Sequence, residues 1–266
     1  MGGVGHLPRH NPLVTYPYLD APRPLAFAHR GGAAAGDENT ADAFARAVAL
    51  GYRYVETDVH ATADGVAVVF HDPTLDRMLG RPGRVHDARW ADLAALRVGG
   101  AAVVPRLDDV LAGWPDVRFN VDVKAEPGVG PTLDAVRRTG AQDRVLLASF
   151  STARLARIRR AAGPAVPTSL GAREVAALWA AARLRRRRFR LPPGVVAAQV
   201  PVRQGLRVVD PRFVRLAHDL GLQVHVWTID DPTEMNELLD LGVDGIMTDR
   251  IEVLREVYTT RGLWAA

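Results

Sequence analysis

With 266 residues, 48% hydrophobic and 24% charged, the chain is long and apolar enough for a sizeable core, and a single α/β barrel typically takes about 250 residues. The absence of cysteine excludes a disulfide framework and thiolate metal ligands, leaving oxygen and imidazole as the available donors. The formal charge of +4 and pI near 9.9 come almost wholly from arginine, so they identify no partner by themselves.

Residues 1–24 read as an N-terminal extension. They carry Pro8, Pro12, Pro17, Pro22 and Pro24 and no apolar segment, which does not read as a secretory signal. The longest apolar stretch in a helical pattern, Val175 to Ala182, is too short to span a bilayer, and a cytoplasmic location is expected. From Leu25 to about residue 260, strand-like runs at 25–29, 53–59, 118–123, 144–149, 165–169, 195–200, 222–227 and 243–247 alternate with helical patterns. The helices fall at 40–50, 131–139, 152–161, 172–187, 211–220, 231–240 and 250–258. Eight mostly apolar strands with helices between them imply one domain, a parallel TIM-type (β/α)8 barrel.

Local signals agree. Thr40 and Ser151 stand where N-caps belong, and Asp210-Pro211 and Asp231-Pro232 combine a cap with proline at the first helical position. Gly51, Gly140, Gly221 and Gly242 follow helical runs, at positions suited to a left-handed C-cap. Asp64-Gly65 predicts a hairpin turn that returns His71 to the mouth of the second strand. Residues 72–117 form a longer connection with one helical piece, 90–97. The run Arg183–Arg190 interrupts the rhythm before Pro192-Pro193.

In a strand, residues i and i+2 face the same way, roughly 6.5–7 Å apart. Glu56 and Asp58 therefore share one face of the second strand, and Asn120, Asp122 and Lys124 share one face of the third. His29 and Arg30 end the first strand, and Trp227 and Thr228 end the seventh. These polar residues meet at the C-terminal mouth, where barrel enzymes carry their sites. Lys124 is the single lysine in the chain, and its compact ammonium is not interchangeable with a guanidinium. Three buried carboxylates call for a compensating cation, and an all-oxygen set favours Mg2+, Ca2+ or Mn2+ over zinc. Taken singly, each residue also has an ordinary structural reading. Glu56 or Asp58 can be salt-bridged, His71-Asp72 can be a turn, Trp227 can be core, and Glu38-Asn39-Thr40 can be a helix start.

Together the stretches His29-Arg-Gly31, Glu38-Asn-Thr40, Glu56-Thr-Asp58, Asp64-Gly-Val-Ala-Val-Val-Phe-His-Asp72, Asn120-Val-Asp-Val-Lys124, Val226-Trp-Thr228 and Gly242-Val-Asp-Gly-Ile-Met-Thr-Asp249 make the chain resemble the glycerophosphodiester phosphodiesterase family, from about Leu25 to Val257. The resemblance implies hydrolysis of glycerophosphodiesters to an alcohol and glycerol 3-phosphate with a divalent cation. By position it implies His29 and His71 as the acid–base pair and Glu56, Asp58 and Asp122 as metal ligands. Arg30 and Lys124 fall at phosphate-binding positions, and Trp227 at the glycerol pocket. Three departures stand out: Asp122 is one methylene shorter than the family's usual glutamate, Asp37 replaces a frequent proline, and the segment after His71 is short. Water and the glycerol 2-hydroxyl both remain open as nucleophile, and either histidine as acid or base.

The arginine run reads as a solvated helix end. Beside Trp179, Leu184, Phe189 and Leu191 it also suits an anionic membrane surface, where each basic residue contributes about 1 kcal/mol. That would fit a lysophospholipase D, and Ala198-Gln-Val-Pro201 resembles the branch of the family that handles such lipids. Nothing besides the run favours nucleic acid. A Schiff-base aldolase would also place a lone lysine at a strand end, and a non-catalytic binder would need neither histidine.

Overall fold

The computed structural model describes residues 16–98, 101–184 and 189–264. Eight parallel strands form the central sheet: β1 (Leu25–Ala28), β2 (Tyr54–Ala61), β3 (Arg118–Val123), β4 (Val145–Ala148), β5 (Thr168–Ser169), β6 (Val195–Pro201), β7 (Gln223–Trp227) and β8 (Gly245–Thr248). Each pairs with the next. The ring closes because β1 pairs with both neighbours, Phe27 opposite Tyr54 and Leu25 opposite Gly245. Closure leaves no parallel edge and requires both faces to be covered, which is why β2 is buried along its whole length.

The strand at 165–169 shortens to Thr168–Ser169. Pro167 has no N–H to give the ladder and contributes only its carbonyl, which accepts from the Leu147 N–H at 3.0 Å.

Among the described residues eight helices wrap the sheet: α1 (Ala41–Ala49), α2 (Leu107–Gly113), α3 (Val129–Arg138), α4 (Thr152–Ala162), α5 (Ala172–Arg183), α6 (Pro211–Asp219), α7 (Pro232–Leu241) and α8 (Ile251–Thr260). The expected caps are made: Thr40, Ser151, Asp210 and Asp231 each accept from backbone N–H groups of the first turn. Gly51, Gly140, Gly221 and Gly242 all adopt positive φ. Helix α2 was not expected. It buries Leu107, Val110 and Leu111 against the barrel. The helix expected over 172–187 ends at Arg183, and Arg185–Arg188 lie outside the described residues.

The hairpin forms as expected. Residues Ala67–Val69 run antiparallel to β2, with Val59 opposite Val69, and the Phe70 N–H donates to the Asp58 carbonyl at 3.0 Å. Beyond it a small layer, with short helices at Asp76–Leu79 and Trp90–Ala94, has its own core of Val68, Phe70, Leu75, Val85, Leu93 and Val104. At the opposite end, Tyr16 and Tyr18 pack with Leu25, Phe27, Tyr54 and Met247, and the Tyr54 hydroxyl donates to the Tyr18 carbonyl at 2.6 Å. Residues 16–20 thus floor the barrel.

Candidate active site

A cavity of about 340 Å3 opens at the C-terminal ends of the strands. Its polar half includes His29, Arg30, Glu56, Asp58, His71, Asn120, Asp122 and Lys124, and Trp227 stands beside it. Every residue expected from the sequence therefore faces one space.

The turn after β1 sets the first two. Arg30 is in the left-handed region (φ 51, ψ 28), and Gly31 (φ 82) and Gly32 (φ 93) follow. A Cβ on Gly31 would meet Phe44 at 2.8 Å and Ala43 at 2.9 Å, so the turn packs directly on α1. This brings the Arg30 N–H to Glu56 Oε2 (3.2 Å) and the His29 ring beside Glu56, Nε2 to Oε2 3.7 Å. The other ring nitrogen, Nδ1, lies 2.6 Å from Asp249 Oδ1 at the end of β8. His71 is held in the same manner, Nδ1 to Asp72 Oδ1 at 2.6 Å. With Nδ1–H engaged by a carboxylate, each imidazole leaves Nε2 to exchange a proton.

Asp58 is the most heavily tied group. Lys124 Nζ lies 2.6 Å from its Oδ1, Arg30 Nε 3.1 Å from its Oδ2, and Asn39 Nδ2 donates to Oδ2 at 2.9 Å. Lys124 reaches Asp122 Oδ2 as well, at 2.7 Å. Burial opposes ionisation of Asp58, yet Lys124, then Arg30 and His71, hold its pKa below the ordinary carboxylate value. Burial also works against a charged Lys124, but Asp122, Asp58 and Glu56 outweigh it and raise its pKa above the usual lysine value. Schiff-base chemistry needs a neutral amine, so this locked ammonium argues against the aldolase reading. For Glu56, burial and the neighbouring Asp58 win over His29, Lys124 and Arg30, and its pKa is pushed up to about 7. Burial works against protonation of His29, but Glu56 and the hydrogen bond to Asp249 outweigh it and raise its pKa.

The donor set suits a hard divalent cation in chemistry: three buried carboxylates, with Asp122 Oδ1 buried and without a hydrogen-bond partner. Among the described residues, no three acidic or imidazole groups already converge on one point. Lys124 bridges two of the three carboxylates instead, so the compensating cation expected from sequence is in part the chain's own.

Several contributors belong to the sequence motifs, where spacing alone assigns them no role. Asp249 and Asp72 orient the histidines. Glu38 accepts from Arg30 at 2.9 Å, and Asn39 (φ 60) binds Asp58 and Thr57. Only Thr40 of that stretch is the plain helix start. Asp37 takes a two-pronged bond from Arg46 (2.7 and 2.8 Å), pinning the β1–α1 loop. Gln199 joins the cavity floor by donating to Asn120 Oδ1 at 2.8 Å. Arg77, which no motif reading singled out, contacts both Glu38 and Asp72.

The other half of the cavity is apolar. Phe150, Leu170, Val175, Ala176, Trp179, Leu206 and Val208 line it, and Phe150 packs edge-on against Trp227 at 5.4 Å.

A closed parallel barrel with two carboxylate-oriented histidines and fixed cations at its mouth belongs to the class of barrel enzymes acting on phosphate esters. The model of the Glycerophosphoryl diester phosphodiesterase family matches residues 29–253. A Mycobacterium tuberculosis protein named "Probable glycerophosphodiester phosphodiesterase 2" is 41% identical over 90% of this chain and 92% of its own. A glycerophosphodiester phosphodiesterase of Caldanaerobacter subterraneus is 30% identical over 86% and 96%. A crystal structure from Silicibacter pomeroyi shares the fold with a TM-score of 0.77 at 27% identity, over 94% of this chain and 100% of that one. The chain belongs to the glycerophosphoryl diester phosphodiesterase family and is a phosphoric diester hydrolase.

Proposed function

We propose that the chain hydrolyses glycerophosphodiesters to an alcohol and glycerol 3-phosphate with a divalent cation, Mg2+, Ca2+ or Mn2+, held by Glu56, Asp58 and Asp122. The observation that carries this reading is the pair His29–Asp249 and His71–Asp72, both at 2.6 Å, facing one cavity with the Arg30 and Lys124 cations. Arg30 and Lys124 bind the phosphate oxygens and oppose their growing charge in the transition state. One imidazole Nε2 takes the proton of the nucleophile and the other protonates the leaving alkoxide; attack by water gives glycerol 3-phosphate directly, and attack by the glycerol 2-hydroxyl gives a cyclic phosphate that water then opens. The cation, when bound, supplies Lewis-acid stabilisation of the phosphoryl oxygens. The Asp122 oxygen without a hydrogen-bond partner and the raised pKa of Glu56 support its binding there. Trp227 lines the glycerol subsite in this reading.

A second reading, lysophospholipase D action to give lysophosphatidic acid, is favoured by the apolar wall of Val175, Trp179, Leu206 and Val208 beside the site. The exposed hairpin Arg203 to Arg207, with Leu206 64% exposed, suits an anionic lipid surface. This reading has the enzyme cytoplasmic, at the inner membrane surface when it takes lysolipid. No helix among the described residues is long and apolar enough to cross a membrane.

Metal-stripped protein is incubated with glycerophosphocholine or lysophosphatidylcholine, with each metal restored in turn, and choline release is followed. Release that needs metal and disappears in His29→Ala is expected. Release that EDTA leaves untouched would overturn the cation, and none from either substrate would overturn the substrate assignment.

A further inference from the structure

We propose that Arg77 is a positioning residue that couples the two sides of the phosphate site, holding His71 through Asp72 and Arg30 through Glu38; this rests on the roles given above to His71 and Arg30. Arg77 sits on the short Asp76–Leu79 helix, in the layer beyond the hairpin that also carries His71 and Asp72. Arg30 and Glu38 belong to the β1–α1 loop of the barrel itself. The guanidinium joins the two. Its Nε donates to Asp72 Oδ2 at 2.6 Å, while NH2 and NH1 donate to Glu38 Oε1 and Oε2 at 2.6 and 3.0 Å.

The other oxygen of Asp72, and the Glu38 Oε1 that Arg77 already holds, continue the chain. Asp72 Oδ1 meets His71 Nδ1 at 2.6 Å, and Glu38 Oε1 accepts from Arg30 NH1 at 2.9 Å. Charges alternate along Arg30, Glu38, Arg77 and Asp72, and Asp72 ends on the His71 ring, so neither carboxylate can turn without breaking a bond to a functional residue. Glu38 and Asp72 are 11% and 19% exposed, and water replaces a lost partner there poorly. All three guanidinium nitrogens are used, in two directions. An ammonium cannot reproduce that fork at equal reach.

A solvated surface arginine and a positioning arginine predict different responses. Without Arg77, the Asp72 carboxylate rotates and His71 loses its fixed tautomer, while Glu38 keeps only Arg30. The expected result for Arg77→Ala is a kcat about 10–100-fold lower, the scale for removing a group that orients a functional histidine, with a smaller rise in KM and a melting temperature near that of the wild type. Guanidinium ion at millimolar concentration restores the variant and leaves the wild type unchanged, and Arg77→Lys stays low. In a His71→Ala background, adding Arg77→Ala costs kcat less than it does in the wild type, because only the branch through Glu38 to Arg30 is left to lose.

A readout that needs no turnover accompanies these. Long-range 1H–15N spectra of the imidazoles, at a pH where they are neutral, show His71 as the Nδ1–H tautomer in the wild type. In Arg77→Ala they show a mixture, which guanidinium collapses back. Wild-type tautomer retained in Arg77→Ala overturns the proposal whatever the substrate proves to be. So does a loss of kcat that tracks a lowered melting temperature and resists guanidinium. Absence of turnover in the wild type, with the tautomer change present, would instead overturn only the substrate reading.

Discussion

Lys124 Nζ and Asp58 Oδ1 lie 2.6 Å apart, and Asp58 is 1% exposed, so the one lysine of the chain neutralises its most buried acid. The same ammonium reaches Asp122, and any divalent cation at the carboxylates competes with it. Lys124→Met therefore leaves two buried acids short of a partner. A loss of about 3 kcal/mol is expected in metal-free urea unfolding. Mg2+ or Ca2+ should raise the midpoint more in the variant than in the wild type. Equal metal shifts in both proteins would show that lysine and cation do not compete.

Asp249→Asn keeps the shape beside His29 but lets the amide present either a donor or an acceptor to Nδ1. The tautomer is no longer dictated, and kcat for glycerophosphocholine should fall about 10–100-fold with KM little changed. Steady-state kinetics on a variant of unchanged melting temperature decides this, and a rise confined to KM would place Asp249 in substrate binding instead.

His225 lies inside the barrel against Phe27, between Gln223 (2.8 Å) and Gln199 (3.3 Å), and burial pushes its pKa down to about 4 despite the opposing pull of Asp244. The unfolded chain takes up its proton near pH 6.5, so between there and about pH 4 the unfolded state binds more protons. Stability from this residue is complete above pH 6.5 and declines as pH falls through that window, by an amount on the order of 3 kcal/mol. Urea midpoints of the wild type and His225→Gln at pH 7 and pH 5 test it: the acid loss should be smaller in the variant.

Gly31→Ala confronts two obstacles at once, a positive φ and contacts of 2.8–2.9 Å with Phe44 and Ala43. A loss of about 1–3 kcal/mol is expected. Activity should fall by more than the fraction unfolded explains, because His29 and Arg30 flank the turn. Thermal unfolding alongside kinetics at a temperature where the variant is fully folded separates the two effects.

The pattern of two along β2 and β3 made Glu56, Asp58, Asp122 and Lys124 legible, because an inward-facing series must share one face whatever the partner strands are. Caps and glycine stops marked the helices for the same local reason. Helix α2 escaped notice because its seven residues carry two adjacent aspartates after Pro105-Arg106, with too few turns for a periodicity to emerge. β5 was overextended because Pro167 looks like part of an apolar run until the ladder needs its missing N–H. The orienting carboxylates were the hardest to see. Asp249 is 220 positions from His29, and Glu38 is 39 from Arg77; only ring closure and the folding of the hairpin layer make them neighbours.

The pairing of β1 with β8 also orders events during synthesis. A nascent chain that has left the ribosome as far as Trp227 carries both histidines, all three acids, Arg30 and Lys124. It lacks the strand that seals β1 and the aspartate that aims His29. A chain that has emerged only that far holds those side chains on an open sheet, and the cavity is completed once β8 pairs with β1 and Asp249 meets His29.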